Sequence, residues 1–296
     1  MNVEPRLTRR PVPIAPSEER WRQMTKEERE QFIVSVNEAL SDPLITMSEG
    51  RPHKKAKSRA IDMLGLHFRA MGRKIYLAEE MSVIYPETAG FTPDVLAVLD
   101  VEEPADDQRM AWVVQDEGKG LDWVLEVLWA GDRKKDLVEN VERYATLGIP
   151  EYFIYDQKQQ RLLGYRLSPE LKRYQPILPQ SGLYRSSVLG IDLAIVEGSL
   201  RFYQGAAELY DTAHLIRRLQ GMVANLETRA QEAADEAEKN RMTIREAILA
   251  LLATRGITCT EAALEQLNGC IDADVLKRWL SRAMTASSEA DVFSPV

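Results

Sequence analysis

The sequence predicts an α/β domain with a central mixed sheet, followed by a helical C-terminal extension. Three observations carry the prediction. The apolar period changes from helical to strand-like just after Gly72. A helix-patterned segment over residues 134 to 147 joins two apolar strands, as in a crossover unit. After about residue 212 the pattern turns helical and stays so up to the last ten residues. The sheet-bearing part amounts to about 160 residues, room for one core with helices against a sheet.

Taken in order, residues 1 to 16 are rich in Pro and Arg and read as a flexible arm. Helical character begins near Ser17, and Thr25 with Glu28 three residues on forms a capping-box pattern, after which Phe32, Val36 and Leu40 repeat at helical spacing. "HKKAKSRAIDMLGLHFRAMG" is a second helix with Ala60, Ile61, Leu64, Phe68 and Met71 as its apolar stripe, ended by Gly72. "KIYLAEEMSVIY" and "DVLAVLDV" are rich in branched and aromatic residues, with the turn-like "PETAGFTP" between them. "AWVVQ" and "DWVLEVLW" follow as apolar strands. "KKDLVENVERYATLG" is helical, with Leu137, Val141 and Tyr144 on one face and Gly148 at its end. "EYFIYD" and "RLLGYRL" are strands paired across "QKQQ", and further short strands run through "SGLYRSSVLGIDLAIVEGSLRFYQ".

Beyond residue 212, Leu215, Leu219, Met222, Leu226, Ala230, Ala233 and Ala237 recur at spacings of four, three, four, four, three and four. This is a heptad-like seam over 212–245, and its second half carries only alanine. Residues 246–296 read as two or three short packed helices ending in a frayed tail, "SSEADVFSPV". These helices point to self-association, as a homo-oligomer, or to docking of a partner. The acidic stretch "LETRAQEAADEAEKN" would repel DNA.

Composition sets outer limits. The chain has 296 residues and a net charge of -8, a balance that runs against gripping nucleic acid with the whole surface. Two cysteines, no CxxC pair and three scattered histidines give no zinc spacing, and the cysteines read as reduced thiols of a cytoplasmic protein. The first residues lack the apolar run of a signal peptide, and no stretch is long and apolar enough to span a membrane.

The chemistry centres on "LEVLWAGDRKKD". Glu126 sits inside an apolar strand, and Asp94 opens another, 32 residues earlier. An ionised acid in an apolar strand is costly, and two side by side are worse unless a divalent cation neutralises them. If the strands are neighbours, Asp94 and Glu126 form a hard oxygen site suited to Mg2+ or Mn2+, able to activate water and stabilise charge on a phosphodiester. Lys134 and Lys135, at the entrance of the next helix, would add positive charge there. Asp62, Glu79 and Glu80 are candidates for a third ligand, and strand alternation allows at most one of the two glutamates. The plain readings are that Asp94 caps a turn after Pro93 and that Glu126 pairs with Arg133. Asp132 reads as the N-cap of a helix whose basic start opposes the macrodipole, for which phosphate binding supplies a reason. Lys54, Lys55, Lys57 and Arg59 form a second basic patch, read chiefly as a solvated helix face and secondarily as a contact to a DNA backbone. His53 and His67 read as surface or packing residues.

"PDV" followed by "LEVLWAGDRKKDLVENVERYATLGIPEYFIYD" resembles the Uma-type family of putative restriction endonucleases, within the PD-(D/E)xK nuclease superfamily. The resemblance spans roughly residues 50 to 210, is most specific over 121 to 156, and is closest from Tyr144 to Asp156. It implies a restriction-endonuclease-like mixed sheet flanked by helices over residues 17–211, a DNA substrate, and metal binding by Asp94 and Glu126. The lysine of the signature is replaced: Leu128 occupies the (D/E)xK position, and Asn140 stands where family members carry a lysine four residues before the helix tyrosine. Lys134 or Lys135 then takes that role. The alternatives are a nuclease fold kept as a binding or scaffolding module, or a metal enzyme acting on a small phosphorylated substrate.

Overall fold

The structure, a computed structural model, describes residues 11–41, 50–102, 108–128 and 135–294, with the Lys135 side chain excepted. It divides into two compact units, residues 1–215 and 216–296.

The first unit opens with α1 (Glu18–Gln23), α2 (Lys26–Leu40) and α3 (Arg51–Ala70). The capping box at α2 is present: Glu28 N–H donates to Thr25 Oγ1 at 3.2 Å and Thr25 N–H to Glu28 Oε2 at 2.7 Å. The end of the expected arm is fixed, because Ala15 is buried and its N–H donates to Thr88 O at 2.8 Å. Trp21 and Val36 from these helices pack with Ile84 and Val113, so the N-terminal helices bury their apolar faces on the domain.

Strands β1 (Ile75–Glu79), β2 (Ser82–Ile84), β3 (Val95–Leu99) and β4 (Ala111–Val113) follow. The strand read in "AWVVQ" stops at Val113, where Val114 begins the one-turn helix α4 (Val114–Glu117). Next come β5 (Trp123–Leu128), a π-helical turn at Lys135–Glu139 that runs into α5 (Asn140–Thr146), and β6 (Glu151–Asp156). Gly148, in the left-handed region at φ 76, ends α5 as its freedom from a Cβ allows. The unit closes with β7 (Arg161–Ser168), β8 (Arg173–Pro176), β9 (Tyr184–Ser186), β10 (Ile191–Val196), β11 (Ser199–Gln204) and β12 (Ala207–Glu208).

The main sheet has six strands in the order β1-β3-β5-β6-β7-β8. Only β5 and β6 pair in parallel, across the α5 crossover; the other neighbours are antiparallel. This is the mixed sheet expected. Every residue of β5 is buried, because both faces are covered. Trp123, Leu125 and Val127 join Ala60, Met63, Leu64 and Phe68 of α3 on one face, where the second sheet (β12-β11-β10-β9) adds Leu193 and Phe202. Val124 and Leu128 face the other way, with Tyr144, Tyr152 and Trp112. Strand alternation makes this partition, and it puts the Glu126 side chain toward the α5 side. Fully burying a side chain of this size contributes about 1.5–3 kcal/mol, so the long apolar run of β5 fixes its central position.

The six-stranded and four-stranded sheets are tied by a buried carboxylate, and β2 and β4 pair separately, in parallel. Glu151, at the start of β6, accepts from Ser186 Oγ at 2.5 Å, from Ser187 N–H at 2.9 Å and from Arg166 Nε at 3.0 Å.

One helix, α6 (Thr212–Thr254), runs from the first unit into the second and continues past residue 245. Ile216, Leu219, Met222, Val223 and Leu226 are exposed along it. The second unit adds α7 (Glu261–Gly269), α8 (Ala273–Ala283) and α9 (Glu289–Phe293) around a core of Ile248, Leu252, Leu267, Leu276 and Trp279. The tail expected to fray is helical through Phe293. Ser288 and Asp291 close a capping box, and Val292 and Phe293 are buried in the core. Two apolar residues with a built cap outweigh the end effect. Among the described residues, no helix is long and apolar enough to cross a membrane.

Candidate functional site

Asp94 immediately precedes β3, and Glu126 is the fourth residue of β5. The two strands are antiparallel neighbours with Val95 opposite Leu125, so the register carried one step back sets Asp94 opposite Glu126. The acids are cross-tied: Asp94 N–H donates to Glu126 Oε2 at 3.3 Å, and Val127 N–H donates to Asp94 Oδ2 at 2.7 Å. Neither contact needs a particular side chain as donor, so the pairing follows from strand register alone.

Helices from both faces of the sheet meet this pair. From α5, Tyr144 OH donates to Glu126 Oε1 at 2.8 Å and Asn140 Nδ2 approaches it at 3.4 Å. Asn140 is held in turn by Asp136 Oδ1 at 2.9 Å. Burial pushes the Tyr144 phenol well above its ordinary pKa, and the charge of Glu126 adds to the effect, so the hydroxyl stays a donor. The ring packs against Phe91 and edge-on to Tyr152, with centroids 5.2 and 4.9 Å away. From α3, His53 Nε2 lies 2.6 Å from Val127 O and 3.3 Å from Asp94 Oδ2, and Lys57 Nζ lies 3.6 Å from Asp94 Oδ1. Lys57 also pairs with Glu80, which stands just beyond β1. Burial by itself would raise the Asp94 carboxyl. The hydrogen bond and charge of His53, the Val127 N–H and the charge of Lys57 outweigh it, and the group is held below its ordinary pKa.

The basic patch read on α3 therefore divides. Lys54 and Lys55 are exposed, Arg59 pairs with Asp211 at 3.0 Å, and Lys57 is buried with only 1% of its side chain accessible. The solvated-face reading fails for Lys57, and the packing reading of His53 omits its contact with Asp94. A signal for both was present. Residues 53, 57, 60, 64 and 68 share one helical stripe, so the apolar face of α3 extends backward through His53 and Lys57 into the site. His67 touches the ring of Phe68, and burial lowers its pKa, with Arg73 adding to the effect.

Of the other acids, Asp62 accepts from Thr212 N–H at 2.7 Å and Glu79 accepts from Ser58 Oγ at 3.1 Å, whereas Glu80 reaches the Lys57 end of the cluster. Asp132, Arg133 and Lys134 lie outside the described residues, as does the side chain of Lys135. Among the described residues, no group of three or more His, Cys, Asp or Glu side chains is arranged to hold a metal ion. Two carboxylates on adjacent strands still match Mg2+ or Mn2+, because such ions commonly use one or two protein carboxylates and complete their shell with water and substrate phosphates.

A family model described as Uma2, putative restriction endonuclease, matches residues 37–195. The chain belongs to the Uma2 family. The match contains Asp94, Glu126, Asn140 and Tyr144, with both helices that close on the acid pair. The mixed α/β sheet flanked by helices that the motif resemblance implies is the architecture observed. Solved structures that match include a putative nuclease belonging to DUF820 from Anabaena variabilis, at 14% identity and a TM-score of 0.40, covering 51% of this chain and 80% of that one. No curated protein matches the chain.

Proposed function

We propose that this chain is a divalent-metal-dependent endonuclease that hydrolyses phosphodiester bonds in DNA, with Mg2+ or Mn2+ held by Asp94 and Glu126. The observation that carries the reading is the acid pair on adjacent strands, each carboxylate accepting from the other strand's backbone N–H. The description of the Uma2 family supplies the reaction class and the substrate. A metal bound there would activate a water and stabilise negative charge on the attacked phosphate.

The chain's own groups prepare the site. Tyr144 and Asn140 orient Glu126, and Val127 N–H and His53 orient Asp94. The carboxylates are thus aimed before any ion arrives, and binding need not fix their rotamers. Lys134 and Lys135 are proposed to add positive charge beside the phosphate. Association of copies along the exposed apolar face of α6 is proposed with this, and light scattering of the full chain measures it.

Manganese titration followed by electron paramagnetic resonance tests the metal site. The expected result is binding in the wild type that Asp94→Ala and Glu126→Ala both abolish. A folded wild type that takes up no manganese would refute the metal-dependent reading. That result would favour a nuclease fold retained as a binding module, which the replacement of lysine by Leu128 and Asn140 also favours.

A further inference from the structure

Lys57 is the residue the proposed reaction leaves unexplained. Taking an ammonium out of water is expensive, and a buried lysine keeps its charge most readily beside anions. Among the described residues, two anions face Lys57, and they differ in kind. Asp94 is fixed by its bonds to Val127 and His53 and keeps its Oδ1 edge 3.6 Å from the lysine. Glu80 reaches the same ammonium from outside, with 52% of its side chain accessible.

Glu80 also has an unusual backbone. It sits between β1 and β2 at φ 52, a left-handed conformation that a glutamate rarely adopts. Its N–H donates to Asp94 O at 3.3 Å. The turn that carries Glu80 is thereby pinned to the residue that carries the site acid, and its side chain lies on the solvent side of Lys57.

We propose that Lys57 is a phosphate-binding cation of the site, in addition to the charge proposed for Lys134 and Lys135, and that Glu80 is its exchangeable counter-ion, displaced when a phosphodiester enters. The exchange is neutral in charge: one carboxylate leaves the ammonium and one phosphodiester anion replaces it. Asp94 keeps Lys57 paired throughout, so the lysine is never left alone in the protein interior. A cation delivered from α3 also accounts for a site whose signature lysine is missing from β5 and α5. The inference rests on the nuclease reading for its choice of DNA as ligand.

The test is a binding cycle on the full chain, with a fluorescent DNA duplex and calcium in place of magnesium so that no turnover is needed. Glu80→Gln is expected to tighten binding by about three- to five-fold, the upper part of the range for a partly exposed ion pair. Lys57→Met is expected to weaken binding, and in the double variant the gain from E80Q should vanish, because Glu80 acts through Lys57. Glu79→Gln removes the same charge one residue away and should have much less effect. This comparison stands even if K57M fails to fold. The proposal is overturned if E80Q does not tighten binding, if E79Q tightens it equally, if E80Q gives the same gain with and without Lys57, or if the wild type binds no DNA. Cleavage by the wild type with an uncoupled cycle would sink the Lys57 assignment alone. A coupled cycle without cleavage would sink the nuclease reading and leave an anion site.

Discussion

Replacing Tyr144 with Phe isolates one of the contacts that hold Glu126. The substitution removes one oxygen and leaves the ring packed between Phe91 and Tyr152. The lost hydroxyl lies 2.8 Å from Glu126 Oε1, closer than the contacts from Asp94 N–H at 3.3 Å and Asn140 at 3.4 Å. A hydrogen bond to a charged acceptor contributes roughly 1.5–3 kcal/mol, and an unmet buried carboxylate valence costs about the same. Y144F should therefore destabilise the first unit by about 2 kcal/mol. Tyr152→Phe is the control. Its hydroxyl donates at 3.0 Å to the backbone carbonyl of Asp136, a neutral acceptor, and its loss should cost about 1 kcal/mol. Urea unfolding of metal-free protein, read by tryptophan fluorescence, measures both. Of the five tryptophans, all but Trp279 lie in residues 1–215, so the signal reports chiefly on that unit. A Y144F loss below about 0.5 kcal/mol, or one no larger than that of Y152F, would refute the reasoning.

Three further outcomes follow from the same contacts. Asp94 titrates below its ordinary value in the fold, so its share of stability is present above the unfolded carboxylate pKa and is lost as pH falls through the lowered one. Asp94→Asn should flatten the decline in urea midpoint between about pH 6 and about pH 2, and a decline parallel to that of the wild type would contradict this. Burial raises Tyr85 to about 12, with the charge of Asp122 adding and the bond to Leu121 N–H opposing, and it raises Tyr144 and Tyr152 well above 10. The stability these phenols contribute is full below the unfolded tyrosine pKa and is lost as pH rises through the folded values; tyrosinate absorbance should rise in two stages, and a single step near pH 10 in native protein would be inconsistent with the burial. Trp279→Ala opens the core of the second unit, where the indole packs edge-on to Phe293 with centroids 5.1 Å apart. It should cost about 3–5 kcal/mol and lower only the transition of residues 216–296 in calorimetry, whereas a matching shift of the first unit would show that the two unfold as one.

Much of the fold was legible because its signals are local. The apolar run of β5, the crossover through α5 and the Thr25 capping box are each written within a few residues. Strand order was not, because pairing β1 with β3 past β2 is a long-range choice that depends on which faces are covered. The order of the tail is harder to see in the sequence, because the Ser288 cap and the apolar Val292 and Phe293 act against the fraying expected of a chain end. At the site, Asp94 and Glu126 stood out as acids in apolar strands. His53 and Lys57 did not, because a basic run on a helix ordinarily faces water, and the stripe that turns two of its members inward is set by Ala60, Leu64 and Phe68 further along α3. In the sequence Tyr144 is one residue of an apolar face, and the role of its hydroxyl depends on the packing of α5 against β5.

The most direct test of the account is plasmid cleavage in magnesium and in manganese by the wild type, Asp94→Ala and Glu126→Ala, purified side by side. The account predicts metal-dependent cutting by the wild type and none by either variant. Equal cutting by all three, or no cutting by a folded wild type across varied DNA, would contradict it.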